Sequence, residues 1–415
     1  MVSNVFLGLA VLALLVPVGE NRKPLGEHWR ATGNAIRAAG GPLLVALGAY
    51  VLWLVAPILA SYDPRTSLQG AGELFNLTTL PLGLALVRGE RAVRRLVDSL
   101  VGVGAVLAVA GLTQYLFGYG DLQRRIRGPF SHYMTFSGFL LLCDLLLIAS
   151  MVFGPKERPA ADPKATATGW RAVFGFLGVL SQSRTPWRWF ALVTINAGLL
   201  GSYTRNAWLA LAVAVTAVIL IRAPRLLLAY LPAGVLFVWL APTPILSRVL
   251  SIADLSDSSN YDRLCMASAG GRMIAERPWF GIGPEMVERR YVLYRHPTAP
   301  RYQVPHLHDN LIQLAAERGL PALAAYLGLM GAAAWCALAG LRQEGGRRGP
   351  RADLWLGVLL ALLAFNVAGL FENNWGDTEV QRPVLFLLAL PFCLARREEG
   401  EPAGGRLYSG GSEVP

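Results

Sequence analysis

Apolar blocks about twenty residues long recur along this chain, and a helix of that length crosses a hydrocarbon core roughly 30 Å thick. They fall near 2–18, 41–60, 73–88, 96–117, 131–153, 189–203, 206–221, 225–241, 319–341, 352–371 and 382–396. Few folds accommodate such a pattern. At that depth no water satisfies the backbone, so each block must close its own hydrogen bonds as a helix. A transmembrane β-barrel would alternate polar and apolar residues along each strand, and these blocks do not. With 54% hydrophobic and 16% charged residues, the composition agrees. The expected fold is an all-α polytopic membrane protein with about 11–12 transmembrane helices. A twelfth crossing arises if 20–40 or the short apolar stretch 171–181, read as interfacial, contributes.

The net charge of +11 does not point to nucleic acid. Its basic residues cluster in short loops between blocks, as the positive-inside rule requires. Arg22, Lys23, Arg30 and Arg37, then Arg88, Arg91, Arg94 and Arg95, the segment 154–188, the group from Arg342 to Arg351, and Arg396 with Arg397 mark the inner side. Parity then puts 61–72, 118–130, 201–205, 242–318 and 372–381 together on the outer side. Residues 2–18 lack a small-residue cleavage site and read as a retained span. The chain divides into membrane helices over 1–241, one large outer region over 242–318, further membrane helices over 319–397, and a Gly-rich, disordered tail over 398–415 on the inner side. Cys143, Cys336 and Cys393 lie within blocks and only Cys265 outside, which argues against a disulfide framework; no zinc-ligand spacing is present.

The residues able to carry chemistry sit on the outer side. Arg205 stands between two apolar blocks with almost no loop, where a charge is costly unless paired or functional; a snorkelling arginine is the simpler alternative. Arg263 follows Tyr261 and Asp262, and Arg289 and Arg290 lie further on. Nine arginines and no lysine occupy 243–318, a bias that suits bidentate recognition of phosphate or carboxylate. His306 and His308 precede a helical pattern that Asp309 or Asn310 can cap and that Gly319 and Pro321 interrupt. Two histidines are a candidate metal pair, but no third ligand stands near in sequence. A neutral imidazole at a helix start is a candidate general base. The polar turn 371–379 offers Glu372 or Asp377 to orient a histidine or a sugar.

Three of these segments together resemble the bacterial O-antigen ligase and polymerase superfamily, and most closely its ligase branch. They are Ser202-Tyr203-Thr204-Arg205, the run Glu276 to Pro284 that follows Arg263, and His308-Asp309-Asn310 continuing to Gly319-Leu320-Pro321. Resemblance covers roughly 190–330. Where the family has Asn after the histidine, this chain has Asp309, with Asn310 one later. The resemblance implies a GT-C type glycosyltransferase of the bacterial inner membrane, with its site on the periplasmic face. Its donor would be an O-antigen polysaccharide on undecaprenyl pyrophosphate, and its acceptor lipid A–core oligosaccharide.

On that reading Arg205 and Arg263 hold the pyrophosphate, with Arg289 and Arg290 in reserve. His308 is the general base in one inverting displacement, supported by His306, Asp309 and Asp377. No Asp-x-Asp motif stands outside, so no metal or other cofactor is expected. Alternatives are an O-antigen polymerase or a protein O-oligosaccharyltransferase, with the same chemistry and another acceptor. A lipid-linked glycan flippase would need polar residues through several spans; few are present, Asp144 and Asn366 among them.

Overall fold

The computed structural model describes residues 25–87, 89–118, 125–155, 186–252, 254 and 256–395. All regular structure among them is helical. The expected span 2–18, the interfacial stretch 171–181 and the tail 398–415 lie outside these residues.

The order is α1 (Leu25–Leu59), α2 (Gly72–Leu77), α3 (Thr79–Leu86), α4 (Gly89–Leu116), α5 (Tyr133–Phe153), α6 (Pro186–Gly201), α7 (Arg205–Arg222) and α8 (Tyr230–Leu240). Then come α9 (Thr243–Leu250), α10 (Ser258–Glu276), α11 (Met286–Tyr294), α12 (Asn310–Gln343), α13 (Ala352–Gly369) and α14 (Thr378–Ala395). Among the described residues seven helices are long and apolar enough to cross a membrane: α1 from Gly41, α4, α5, α7, α12, α13 and α14. The protein is an all-α, multi-pass membrane protein. The blocks near 73–88, 189–203 and 225–241 are shorter helices than expected: α2 and α3 break at Thr78, α6 stops at Gly201, and a 3₁₀ turn over Pro224–Ala229 precedes α8.

Helices α5, α13 and α14 form the interior. They are apolar on nearly every face, and 83%, 78% and 72% of their apolar windows are buried, as expected of helices enclosed by other helices. α1, α4, α7 and α12 surround them, with about a third or less of each window buried. Two polar pairs lie inside this core: Asn196 Nδ2 donates to Asp144 Oδ1 at 2.9 Å, and Tyr326 Oη to Asn366 Oδ1 at 2.9 Å.

The segments assigned to the outer side meet at one end of the bundle. Tyr62 N bonds Ile282 O, Ile126 N bonds Gly201 O, Arg205 pairs with Asp257, and Arg263 reaches Phe371 O. Arg94, ion-paired with Asp353 at 2.7 Å, and Arg351, paired with Glu344, stand at the opposite ends of these helices. A second apolar core holds the site end together. Met266, Met273, Ile282, Val287, Tyr291, Val304 and Leu307 pack there with Ala316 of α12.

Gly319 makes this packing fit. It sits at φ 81°, ψ 169° and kinks α12, in a backbone region essentially reserved for glycine. A Cβ there would stand 2.0 Å from Trp279 O. The freed groups are taken up by the loop after α10: Leu320 N bonds Pro278 O, Ile282 N bonds Ala316 O, and Gly283 N bonds Glu317 O.

Candidate active site

Two histidines and a carboxylate converge where the 305–309 loop meets the 371–377 loop. His308 Nδ1 lies 3.0 Å from Glu372 Oε2, and His306 Nε2 lies 3.6 Å from Glu372 Oε1. The imidazoles meet edge to face with centroids 4.2 Å apart. Backbone geometry aims them. His308 adopts φ 52°, an uncommon conformation for a residue with a Cβ. Asp309 follows in extended geometry and caps α12, accepting from Leu311 N and Ile312 N. Gln313 Oε1 pins Leu307 N at 2.8 Å.

Asn310 brings the carboxylate into place. Its amide donates to Asn374 Oδ1 and accepts from Trp375 N at 3.0 Å, tying the 371–377 loop to the start of α12. Asn373 N then fixes Glu372 Oε1 at 3.1 Å. Burial alone would raise the Glu372 carboxyl; the hydrogen bond and charge of His308, with His306 behind it, hold it below the usual range. Burial pushes His306 down to about 4, against the opposing pull of Glu372.

Beside this cluster lies a cavity of about 410 Å³ walled by five arginines: Arg125, Arg205, Arg248, Arg263 and Arg301. Asp257 is its lining carboxylate. Arg205 is the first residue of α7, presented by Tyr203 at φ 50°. It donates to Ser251 O at 3.0 Å and Ser251 Oγ at 2.8 Å, and pairs with Asp257 Oδ1 at 3.1 Å. Asp257 also caps α10 through Ser259 N and Asn260 N. Burial opposes its ionisation, but Arg205 and the amides outweigh that and hold its carboxyl low. Arg263 donates to Phe371 O at 3.2 Å and Ser259 Oγ at 3.1 Å. Burial lowers the Arg263 and Arg248 guanidinium values, and neighbouring arginines add to it: Arg205 and Arg301 around Arg263, Arg125 and Arg205 around Arg248. Cations crowded this way favour a bound anion.

The sequence reading and the fold agree for some residues and part for others. Arg205 and Arg263 share one cavity. Arg289 and Arg290 do not join them: α11 turns them to the other side, where Arg289 faces Asp63 at 3.6 Å and Arg290 lies over the Tyr62 ring at 3.7 Å. Asp377 does not reach a histidine; it accepts from Thr135 Oγ1 and Glu379 N. Glu372 takes that place. The acidic partner that Arg205 lacks locally comes from Asp257, 52 positions away. A third ligand for the histidines, absent nearby in sequence, is Glu372: one ligand atom from each of His306, His308 and Glu372 lies within 4.8 Å of the others. That arrangement has the donors and spacing to hold a transition metal as well as a proton. Arg125 and Arg248 were not singled out. Arg125 carried a signal, since Arg124, Arg125 and Arg127 crowd a turn on the outer side, against the usual bias of basic residues.

This is an arginine-lined cavity next to a carboxylate-oriented histidine, at one end of a membrane bundle. Acyl, phosphoryl or glycosyl transfer from an anionic leaving group would use such an arrangement. No curated protein matches the chain. Residues 190–327 match the family model described as O-antigen ligase; this segment contains Arg205, Arg263, His306 and His308, and over that third of its length the chain is similar to the O-antigen ligase/polymerase superfamily.

Proposed function

We propose that the protein is an O-antigen ligase of the GT-C type in the bacterial inner membrane, with its site on the periplasmic face. It moves an O-antigen polysaccharide from undecaprenyl pyrophosphate to a sugar hydroxyl of lipid A–core oligosaccharide. The observation that carries this reading is the pairing of His308 with Glu372 beside the five-arginine cavity.

A lipid-linked donor keeps its tail in the bilayer, so its pyrophosphate must be met at the membrane edge, where Arg205 begins α7. Arginine forks fit phosphoryl oxygens in pairs. Arg205 and Arg263 bind the pyrophosphate, and Arg125, Arg248 and Arg301 add to the field. As the sugar–oxygen bond breaks, its electron pair goes to the pyrophosphate. The fixed guanidinium groups stabilise the charge that develops there, so no divalent metal is required.

Glu372 accepts from His308 Nδ1, which leaves Nε2 as the proton acceptor. The acceptor hydroxyl gives its proton to Nε2 while its oxygen bonds the anomeric carbon opposite the pyrophosphate. One displacement inverts that centre and needs no covalent enzyme intermediate.

The test is transfer of labelled polysaccharide from purified lipid-linked donor to purified lipid A–core by the detergent-solubilised protein. Growth of the donor polymer with no lipid A–core product assigns the polymerase reaction instead. Translocation of the donor across vesicles without any product assigns a flippase.

A further inference from the structure

A second cavity, of about 470 Å³, opens on the other side of the His–Glu cluster. Its volume lies in the range of about 300–1,000 Å³ usual for ligand sites. The cluster stands at the junction of the two cavities. Phe371 lines the first and Asn373 the second, with Glu372 between them in the chain, and His306 itself lines the second.

The two cavities have opposite character. Five arginines and one carboxylate line the first. Four carboxylates, Glu73, Glu285, Glu288 and Glu317, and one arginine, Arg318, line the second. Its floor is held by a network around Glu73. Glu73 pairs with Arg318 at 2.6 Å and accepts from Tyr50 Oη at 2.7 Å, Trp375 Nε1 at 3.1 Å and Gln381 Nε2 at 3.2 Å. At its rim, Glu285 and Glu288 are exposed and form no ion pair among the described residues. Phe75 offers a half-exposed ring, the amide of Asn373 also lines the wall, and His306 Nδ1 is buried without a hydrogen-bond partner.

Carboxylates and amides accept and share hydrogen bonds from sugar hydroxyls, and an aromatic ring packs on the apolar face of a pyranose. The same carboxylates repel phosphate. We infer that this second cavity is the acceptor subsite, seating the terminal sugar units of the acceptor glycan between Phe75, Glu288, Asn373 and His306, and that it takes uncharged or amine-bearing sugars and rejects phosphorylated ones. The assignment rests on the transferase reading above and adds to it a division of the site: donor pyrophosphate on the arginine side, acceptor sugar on the carboxylate side, His308 at the boundary.

Two measurements test it. In the transfer assay at saturating donor, Glu288→Gln and Phe75→Ala are each expected to raise the acceptor KM roughly tenfold, with the donor KM unchanged. An unchanged acceptor KM in both, or a raised donor KM, overturns the subsite while the ligase reading stands. The second measurement needs no turnover. Saturation-transfer NMR with the detergent-solubilised protein compares a soluble trisaccharide of uncharged hexoses with its monophosphorylated form. Contact with the uncharged form alone, weakened in both variants, supports the subsite. Equal contact with both forms, contact with neither, or signals unchanged in the variants overturns it. A wild-type protein that binds the trisaccharide but transfers to no acceptor would remove the ligase reading and leave a glycan-binding cavity.

Discussion

Glu372 Oε2 lies 3.0 Å from His308 Nδ1 across 64 positions of sequence. A carboxylate so placed selects the tautomer of the imidazole and stabilises the cation it becomes. His308→Ala is expected to slow the chemical step by about 10²–10⁴-fold, the usual worth of a general base. Glu372→Gln should cost less. Because Glu372 acts through His308, the double variant should be no slower than His308→Ala alone. Single-turnover rates of the three variants check this; additive losses would show that Glu372 has a separate role.

Arg205→Ala and Arg263→Ala should each lower kcat/KM for the donor by about 10²–10³-fold, the scale of losing one preorganised electrostatic contact. Lysine at either position should rescue poorly, because a point charge cannot reproduce the fork. Arg289→Ala should retain near wild-type kinetics, since that side chain faces Asp63 rather than the cavity. Kinetics that reverse this order would move the donor site to α11.

Excess EDTA should leave turnover unchanged, because arginines carry the charge of the leaving group. Added Zn²⁺ should inhibit, and EDTA should reverse it, because His306, His308 and Glu372 can ligate the ion and ligation uses the imidazole lone pair that catalysis needs. Loss of activity in EDTA, restored by a divalent metal, would replace the arginine mechanism with a metal-assisted one.

Much of the fold was legible because membrane spans are written in composition and basic loops in charge. Parity from those loops grouped five segments on one side, and the same segments meet around the site. Individual pairings were not legible. Nothing near Arg205 announces Asp257, which depends on how the starts of α7 and α10 meet; the turn 371–379 offered Glu372 and Asp377 alike, and only the docking of the loop after α13 on the start of α12 selects Glu372 for His308. Arg289 and Arg290 stood in reserve behind Arg263 because composition records that a guanidinium is present, not where its helix points. The kink at Gly319 was legible as a Gly–Pro interruption. Its purpose, to receive the loop 278–283, required the three-dimensional contact.

Gly319→Ala should destabilise the protein by about 3 kcal/mol or more, combining a backbone region costing about 1–3 kcal/mol with the close approach of Trp279 O. Gly271→Ala is the control: it lies exposed within α10, with nothing within 4 Å of an added Cβ, and should be neutral or slightly stabilising. Thermal unfolding in detergent compares the two. An unaffected Gly319→Ala would mean that the loop 278–283 does not stay docked on α12.

Stability should also fall on acidification, and His306 indicates where. Its folded value of about 4 lies below the unfolded value near 6.5. Between those two values the unfolded chain binds more protons than the folded one, so stability falls as pH drops from about 6.5 towards about 4. A shift of that size corresponds to at most about 3 kcal/mol at 1.36 kcal/mol per unit, less whatever solvent screening removes. Glu372 acts in the same direction: held below its usual range, it stabilises the fold while ionised and stops doing so as pH falls through its folded value. His306→Gln removes the first contribution and leaves the second. The melting temperature of His306→Gln should therefore vary less than that of wild type between pH 6.5 and pH 4.5, with the remaining slope concentrated at the acid end. Parallel profiles for the two proteins would show that His306 titrates in the folded chain much as it does in the unfolded one, and that the junction between the two cavities is wetter than its packing indicates.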